Sequence, residues 1–162
     1  MYGHNDRGSL TCAIEKKEQS MSKEERHFVL MAEDDPDDRL LYEEAIGKSD
    51  FNVAYHIASD GAELMRFVKE KENPRPSIIL VDLRMPRMGA HEIIAAIKED
   101  PELRTIPVIV LTGSNQEGEV RKVYAESAKG YIIKPSGFED LVKTLNEIFS
   151  YWFRTVRLPN EK

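Results

Sequence analysis

Five chemically active side chains follow apolar runs of the chain, at the points where strands are expected to end. They are Glu33, Asp34, Asp82, Thr112 and Lys134. The carboxyl ends of parallel strands share one edge of a sheet, and ligands bind at that edge in open α/β domains. A parallel fold therefore brings these residues together, although they lie far apart along the chain. No single motif in the sequence is as informative as this convergence.

Asp82 ends the most distinctive of these runs. Residues 78–81 are four consecutive apolar residues, with Pro76 before them and Pro86 and Gly89 after Asp82. A short apolar run between such breakers is typical of a central parallel strand that is covered on both faces. The carboxylate of Asp82 is then placed for chemistry rather than for packing.

The charges of the predicted cluster indicate a metal ion and a phosphoryl group. Glu33, Asp34 and Asp82 place three negative charges against the single positive charge of Lys134, which is costly unless a cation joins them. Oxygen ligands and retained waters suit Mg²⁺. Asp82 can then act as a nucleophile toward phosphorus, while Lys134 and the Thr112 hydroxyl neutralise phosphoryl oxygens.

The elements that must position this cluster alternate between strands and helices. Apolar runs recur about every 25 residues, the length of one strand plus one helix, at 28–32, 53–57, 78–81, 108–111 and 131–133. Between and after them, helix patterns start at Asp35, at Asp60, after Gly89, near Gln116 and at Phe138. The first helix presents Leu40, Leu41, Ala45 and Ile46 as its apolar positions, with Gly47 as a stop. With right-handed crossovers, this pattern predicts a doubly wound (βα)5 domain of three layers.

Composition excludes several classes of protein. The chain has 162 residues and a net charge of −6, which does not fit a nucleic-acid surface. Its only cysteine is Cys12, and no apolar stretch is long enough to cross a bilayer. We therefore predict a cytoplasmic protein with a mobile N-terminal arm (1–26), one folded domain (27–150) and a C-terminal aromatic tail (151–162).

The chain resembles the CheY-like receiver domain of two-component response regulators. The resemblance covers residues 27 to about 150 and is carried by Glu33-Asp34, by Asp82 in Asp-Leu-Arg-Met-Pro, by Thr112-Gly113 and by Lys134-Pro135. It implies a flavodoxin-like sandwich with sheet order 2-1-3-4-5. It also implies a protein that catalyses its own phosphorylation and dephosphorylation, rather than an enzyme with a separate substrate.

The resemblance assigns a role to each site residue. Asp82 accepts the phosphoryl group, and Asp34, Asp82 and the backbone carbonyl of Arg84 bind Mg²⁺. Glu33 contributes to the metal site largely through water. Lys134 pairs with the phosphoryl group, and the peptide bond before Pro135 is expected to be cis.

The switch residues and the partners also follow from resemblance. Thr112 is the switch hydroxyl, and Tyr131 is the aromatic that moves with it. The tail and the Arg-Thr-Ile-Pro loop at 104–107 are similar to small single-domain regulators of phytochrome histidine kinases. This similarity implies a phytochrome kinase as partner, a homodimer, and either retention of the phosphate or its transfer to a histidine phosphotransfer protein. Neither nucleic acid nor membrane is expected as a partner.

Some residues allow two interpretations. We interpret Asp37 and Asp38 as first-turn acids that favour the helix dipole, rather than as part of the metal cluster. Arg84 and Ser114 occupy positions that resemble tuners of phosphoryl lifetime. For Trp152 and Phe153 we favour a contact surface over core packing.

Two other functions remain as alternatives. A phosphatase of the haloacid dehalogenase type also uses a strand-end aspartate, but it needs a second aspartate where Arg84 stands, and a cap over the substrate. A pseudo-receiver would be a binding module that is not phosphorylated. The complete set of site residues argues against this second alternative.

Overall fold

The computed structural model describes residues 27–159, in which five strands alternate with five helices. The predicted arm at 1–26 and the last three residues of the predicted tail lie outside this range. The strands are β1 (Phe28–Ala32), β2 (Ala54–Ala58), β3 (Ile78–Val81), β4 (Val108–Thr112) and β5 (Gly130–Ile133). The helices are α1 (Pro36–Lys48), α2 (Gly61–Lys69), α3 (Ala90–Glu99), α4 (Glu117–Ala125) and α5 (Phe138–Ser150), and a π-helix (Tyr151–Thr155) continues α5.

All strand pairs are parallel, and the sheet order is β2-β1-β3-β4-β5. This confirms the predicted doubly wound fold. Every residue of β3 and β4 is buried, as expected for strands covered on both faces. No helix among residues 27–159 is both long enough and apolar enough to cross a membrane.

The core consists of two apolar layers, one on each face of the sheet. Alternate residues of β3 serve the two layers, with Ile79 and Val81 in one and Ile78 and Leu80 in the other. Helices α2, α3 and α4 cover the first layer, and α1 and α5 cover the second. The alternation follows from the two-residue period of a strand.

Helix α1 begins where the sequence predicts, but its buried face is different. The Asp35 carboxylate caps the helix by accepting the backbone N–H of Asp37 at 2.8 Å. Leu40 and Leu41, which we predicted on the apolar face, are 55% and 41% exposed, whereas Tyr42 is buried. Ala45 and Ile46 are buried as predicted, and with Tyr42 they form an i, i+3, i+4 face that leaves the two leucines toward solvent. Gly47 does not stop the helix, which continues to Lys48.

The start of the aromatic tail packs on the domain. Phe153 stacks on His27, with ring centroids 4.1 Å apart, and on Phe149 at 5.6 Å. Trp152 is also partly buried against the same layer of the core, while Tyr151 is 53% exposed. Core packing, the alternative that we favoured less, therefore accounts for part of both the Trp152 and the Phe153 rings, and a contact surface on their exposed parts stays a prediction. The π-helix turns the Phe153 ring back toward the first residues of β1.

Candidate functional site

The register of the sheet brings the predicted site residues to one edge. Ala32 pairs with Val81, so the residues that follow β1 and β3 leave the sheet together. The backbone N–H of Asp82 donates to the carbonyl of Ala32 at 3.4 Å. On the other side, the backbone N–H of Lys134 donates to the carbonyl of Thr112 at 2.8 Å.

Glu33 is a buried carboxylate that accepts hydrogen bonds from two groups. It is 2% exposed; its Oε1 accepts the backbone N–H of Asp35 at 3.1 Å, and its Oε2 accepts from Nζ of Lys134 at 3.3 Å. Burial raises the pKa of Glu33 to about 7, and the negative charge of Asp82 adds to this effect. The Asp35 N–H and the Lys134 charge oppose the shift without cancelling it.

The shorter bond of Lys134 is to Asp38. Its Nζ lies 2.6 Å from Oδ2 of Asp38, and 5.2 Å from the centroid of the Tyr42 ring. Burial by itself lowers the pKa of Lys134, but the hydrogen bond to Asp38 and the nearby negative charge of Glu33 outweigh it, so the pKa is raised. The lysine is therefore charged at neutral pH. Our interpretation of Asp38 as a first-turn acid alone was incomplete, because a hydrogen bond across elements is not visible in helix periodicity.

Arg39 holds the acidic loop between β1 and α1. Its Nη1 donates to the carbonyl of Glu33 at 3.0 Å and to the carbonyl of Asp34 at 2.9 Å. Asp34 itself is partly exposed at the start of this loop. Sequence reasoning missed Arg39. A signal was available in its spacing, since a side chain on the first turn of a helix can reach back to the residues before the cap.

Asp82 and Thr112 line the same pocket, which has a volume of about 440 Å³. Oδ1 of Asp82 accepts the backbone N–H of Arg84 at 3.1 Å, which fixes the rotation of the carboxylate. Thr112 is 2% exposed, and its hydroxyl oxygen accepts the backbone N–H of Ser114 at 3.4 Å. The rest of the lining is formed by Arg84, Gly113, Ser114, Asn115 and Gln116.

Glu119 of α4 connects two sides of this pocket. Nη2 of Arg84 lies 3.1 Å from Oε1 of Glu119, and the Ser114 hydroxyl donates to the other carboxylate oxygen. The hydrogen bond from Ser114 and, to a smaller extent, the one from Arg84 lower the pKa of Glu119. The Tyr131 hydroxyl donates to the carbonyl of Ser114 at 2.8 Å. Tyr131, the predicted switch aromatic, thus contacts the loop that follows Thr112. Glu119 was not among the residues that we predicted for the site.

The structure corrects one detail of the predicted site. None of the peptide bonds between residues 27 and 159 is cis, so the bond before Pro135 is trans. Residue type does not fix this geometry, because the trans form of an X–Pro bond is favoured by only about 0.5–1 kcal/mol.

The described residues include no group of three or more His, Cys, Asp or Glu side chains arranged to hold a metal ion. The predicted ligand set named three carboxylates, those of Glu33, Asp34 and Asp82, together with the backbone carbonyl of Arg84. Glu33 was expected to act largely through water, so Asp34, Asp82 and the carbonyl would be the direct ligands. The candidate ligand atoms are all oxygens, which are the ligands that hard divalent ions prefer. The chemistry of the residues present therefore fits a hard divalent ion.

Comparison with known proteins shows which family and which relatives this chain resembles. The sequence profile of the response regulator receiver domain matches residues 29–146. Response regulator Rcp1 of Synechocystis sp. is 36% identical over 135 residues, which cover 81% of this chain and 92% of Rcp1. The probable methanogenesis regulatory protein FilR2 of Methanothrix harundinacea is 32% identical over 142 residues, covering 86% of this chain and 92% of FilR2.

Solved structures of such proteins superpose on most of the chain. The Mn²⁺-bound form of Rcp1 has a TM-score of 0.74 at 35% identity, covering 83% of this chain and 99% of Rcp1. The phosphorylated cyanobacterial phytochrome response regulator RcpA has a TM-score of 0.77 at 31% identity, covering 84% of this chain and all of RcpA.

Proposed function

This chain belongs to the response regulator receiver domain family, and we propose that it accepts a phosphoryl group from a sensor histidine kinase onto Asp82. The observation that carries the proposal is the pocket in which Asp82 and Thr112 meet, beside the buried pair of Glu33 and Lys134. A partly exposed carboxylate in an open pocket can be reached by the phosphohistidine of another protein.

The residues of the pocket suit phosphoryl transfer. An oxygen of the Asp82 carboxylate attacks phosphorus, the P–N bond of the phosphohistidine breaks, and the ring nitrogen keeps that electron pair and takes up a proton from water, so that neutral imidazole leaves. The bond from the Arg84 N–H to Oδ1 orients the carboxylate, so we expect Oδ2 to be the nucleophile. The Thr112 hydroxyl is free to donate to a phosphoryl oxygen, since in the structure its oxygen acts as an acceptor. Lys134, which does not line the pocket and donates to Asp38 and Glu33, supplies a positive charge when its side chain turns toward the phosphoryl group.

We assign the divalent cation as Mg²⁺, held by Asp34, Asp82 and the Arg84 carbonyl, with Glu33 acting through water. When bound, the ion neutralises charge on the carboxylates and the phosphoryl oxygens. Arg39 supports this role by fixing the carbonyls of Glu33 and Asp34. The Mn²⁺-bound form of Rcp1 is a further argument for binding of a divalent ion.

For the partner, we propose a phytochrome-type histidine kinase. The similarity to RcpA, a cyanobacterial phytochrome response regulator, supports this choice. The similarity to FilR2 makes a kinase of another sensory class the competing candidate. Phosphotransfer from a purified, autophosphorylated phytochrome kinase tests the choice, and transfer only from a kinase of another class would contradict it.

The test of phosphorylation is an intact-mass measurement after incubation with Mg²⁺ and acetyl phosphate. We expect an added mass of about 80 Da, one phosphoryl group, that disappears with EDTA and in Asp82→Ala. The matched control is Asp37→Asn, which removes an exposed carboxylate of α1 and should keep the adduct. A wild-type protein that is folded by circular dichroism yet gains no mass would contradict the proposal and favour the pseudo-receiver alternative.

A further inference from the structure

The ammonium of Lys134 contacts two carboxylates near α1 and not the residues of the pocket that contains Asp82. Lys134 is absent from the lining of the pocket that contains Asp82 and Thr112. Its ammonium donates instead to Asp38 at 2.6 Å and to Glu33 at 3.3 Å. Both acceptors lie on or just before α1, so the charge is drawn toward that helix.

Capping of α1 does not account for the position of the Asp38 side chain. The N-cap of α1 is Asp35, whose carboxylate accepts the backbone N–H groups of Asp37 and Asp38. The helix dipole favours an acid at Asp37 as much as at Asp38, yet Asp37 is exposed and only Asp38 reaches Lys134. The side chains of Lys134 and Asp38 are 18% and 33% exposed, so water screens their attraction only in part.

We propose that Asp38 is a positioning residue that holds Lys134 toward α1 and competes with the phosphoryl group for its ammonium. This inference rests on the proposed phosphorylation of Asp82. An ammonium has three donors, and two of them are already directed to carboxylates of Asp38 and Glu33. Because Lys134 does not line the pocket, its third donor can reach a phosphoryl group there only if the side chain swings from Asp38 toward Thr112.

This competition predicts the direction in which a substitution of Asp38 changes the affinity for a phosphoryl group. Loss of the charge on Asp38 weakens the unphosphorylated arrangement and leaves the phosphorylated one intact, so affinity for a phosphoryl group should rise. We expect about a tenfold gain, which corresponds to about 1.4 kcal/mol. If Asp38 instead completed the phosphoryl site, its loss would lower that affinity.

The experiment titrates beryllofluoride, a phosphoryl mimic, into the Mg²⁺-loaded protein and follows binding by NMR. Asp38→Asn should bind about tenfold more tightly than wild type. The matched control is Asp37→Asn, which removes the same charge one residue away and should change affinity less than twofold. In a Lys134→Met background the effect of Asp38→Asn should disappear, because the inference requires it to act through the lysine.

A second measurement needs no metal. In metal-free protein labelled with ¹⁵N-lysine, the Lys134 ammonium protons should exchange with water faster in Asp38→Asn than in wild type or Asp37→Asn. Equal effects of the two aspartate substitutions, or weaker binding by Asp38→Asn, would overturn the inference. If wild type does not bind beryllofluoride at all, the proposed function fails, and the exchange rates still decide whether Asp38 holds Lys134.

Discussion

The buried carboxylate of Glu33 should make the stability of the metal-free protein depend on pH. Burial raises its pKa from the ordinary value of 4.5 to about 7. An acid with a raised pKa in the folded state binds its proton more tightly there than in the unfolded chain. Its contribution to stability is therefore complete below pH 4.5 and is lost as the pH rises through 7.

The size of the effect follows from the shift. One pKa unit corresponds to 1.36 kcal/mol, so the shift of Glu33 amounts to about 3 kcal/mol in the free energy of unfolding. Roughly 2–3 kcal/mol of this is lost between pH 5 and pH 8. The Glu33 side chain is 3% exposed, so water screens its charge only weakly. Glu33→Gln, which stays neutral at every pH, should remove this part of the pH dependence.

The assay is urea unfolding in EDTA at pH 5, 6, 7 and 8, followed by circular dichroism, for wild type and Glu33→Gln. We expect wild type to lose stability relative to Glu33→Gln as the pH rises. Glu44→Gln, which removes an exposed carboxyl from α1, measures the effect of losing one acidic group at the surface. A constant difference between wild type and Glu33→Gln across this range would refute the reasoning.

Two further predictions concern packing. Gly61→Ala places a Cβ against the backbone carbonyl and side chain of Met88, in the loop that follows Asp82, and should cost roughly 1–3 kcal/mol in urea unfolding. Gly118→Ala in α4 meets open space and should instead stabilise by about 0.5 kcal/mol; equal effects of the two would contradict the packing argument. Phe153→Ala loses its stacking on His27 and Phe149 and should cost about 2 kcal/mol. Tyr151→Ala, at an exposed position, should change stability by less than about 0.5 kcal/mol, and a similar loss in both variants would argue against docking of Phe153.

The sequence was most informative where one residue pattern allows one structure. Apolar runs at fixed intervals predicted all five strands, and Asp35-Pro36 predicted the start of α1. These features are local, because strand burial and helix capping depend on residues close together in the chain. The parallel fold then placed Glu33, Asp82, Thr112 and Lys134 at one edge without further information.

Sequence reasoning was less successful where the contacts of a residue depend on how the elements pack together. Leu40 and Leu41 fit an apolar helix face, but the orientation of α1 on the sheet buries Tyr42 instead. Phe153 fits an exposed patch, but the π-helix after α5 directs it to His27. The isomer of the Lys134–Pro135 bond also depends on its surroundings.

By itself, then, the sequence predicted the fold and the residues that share one edge of its sheet, since apolar periodicity indicated the alternating strands and helices and the family resemblance implied the strand order. Only the tertiary structure decided which charges meet there. It paired Lys134 with Asp38, Arg39 with the acidic loop, and Glu119 with both Arg84 and Ser114. The physical reason is that ion pairs and hydrogen bonds between elements depend on distances of a few ångströms, which residues remote in sequence acquire only when the sheet and helices are packed.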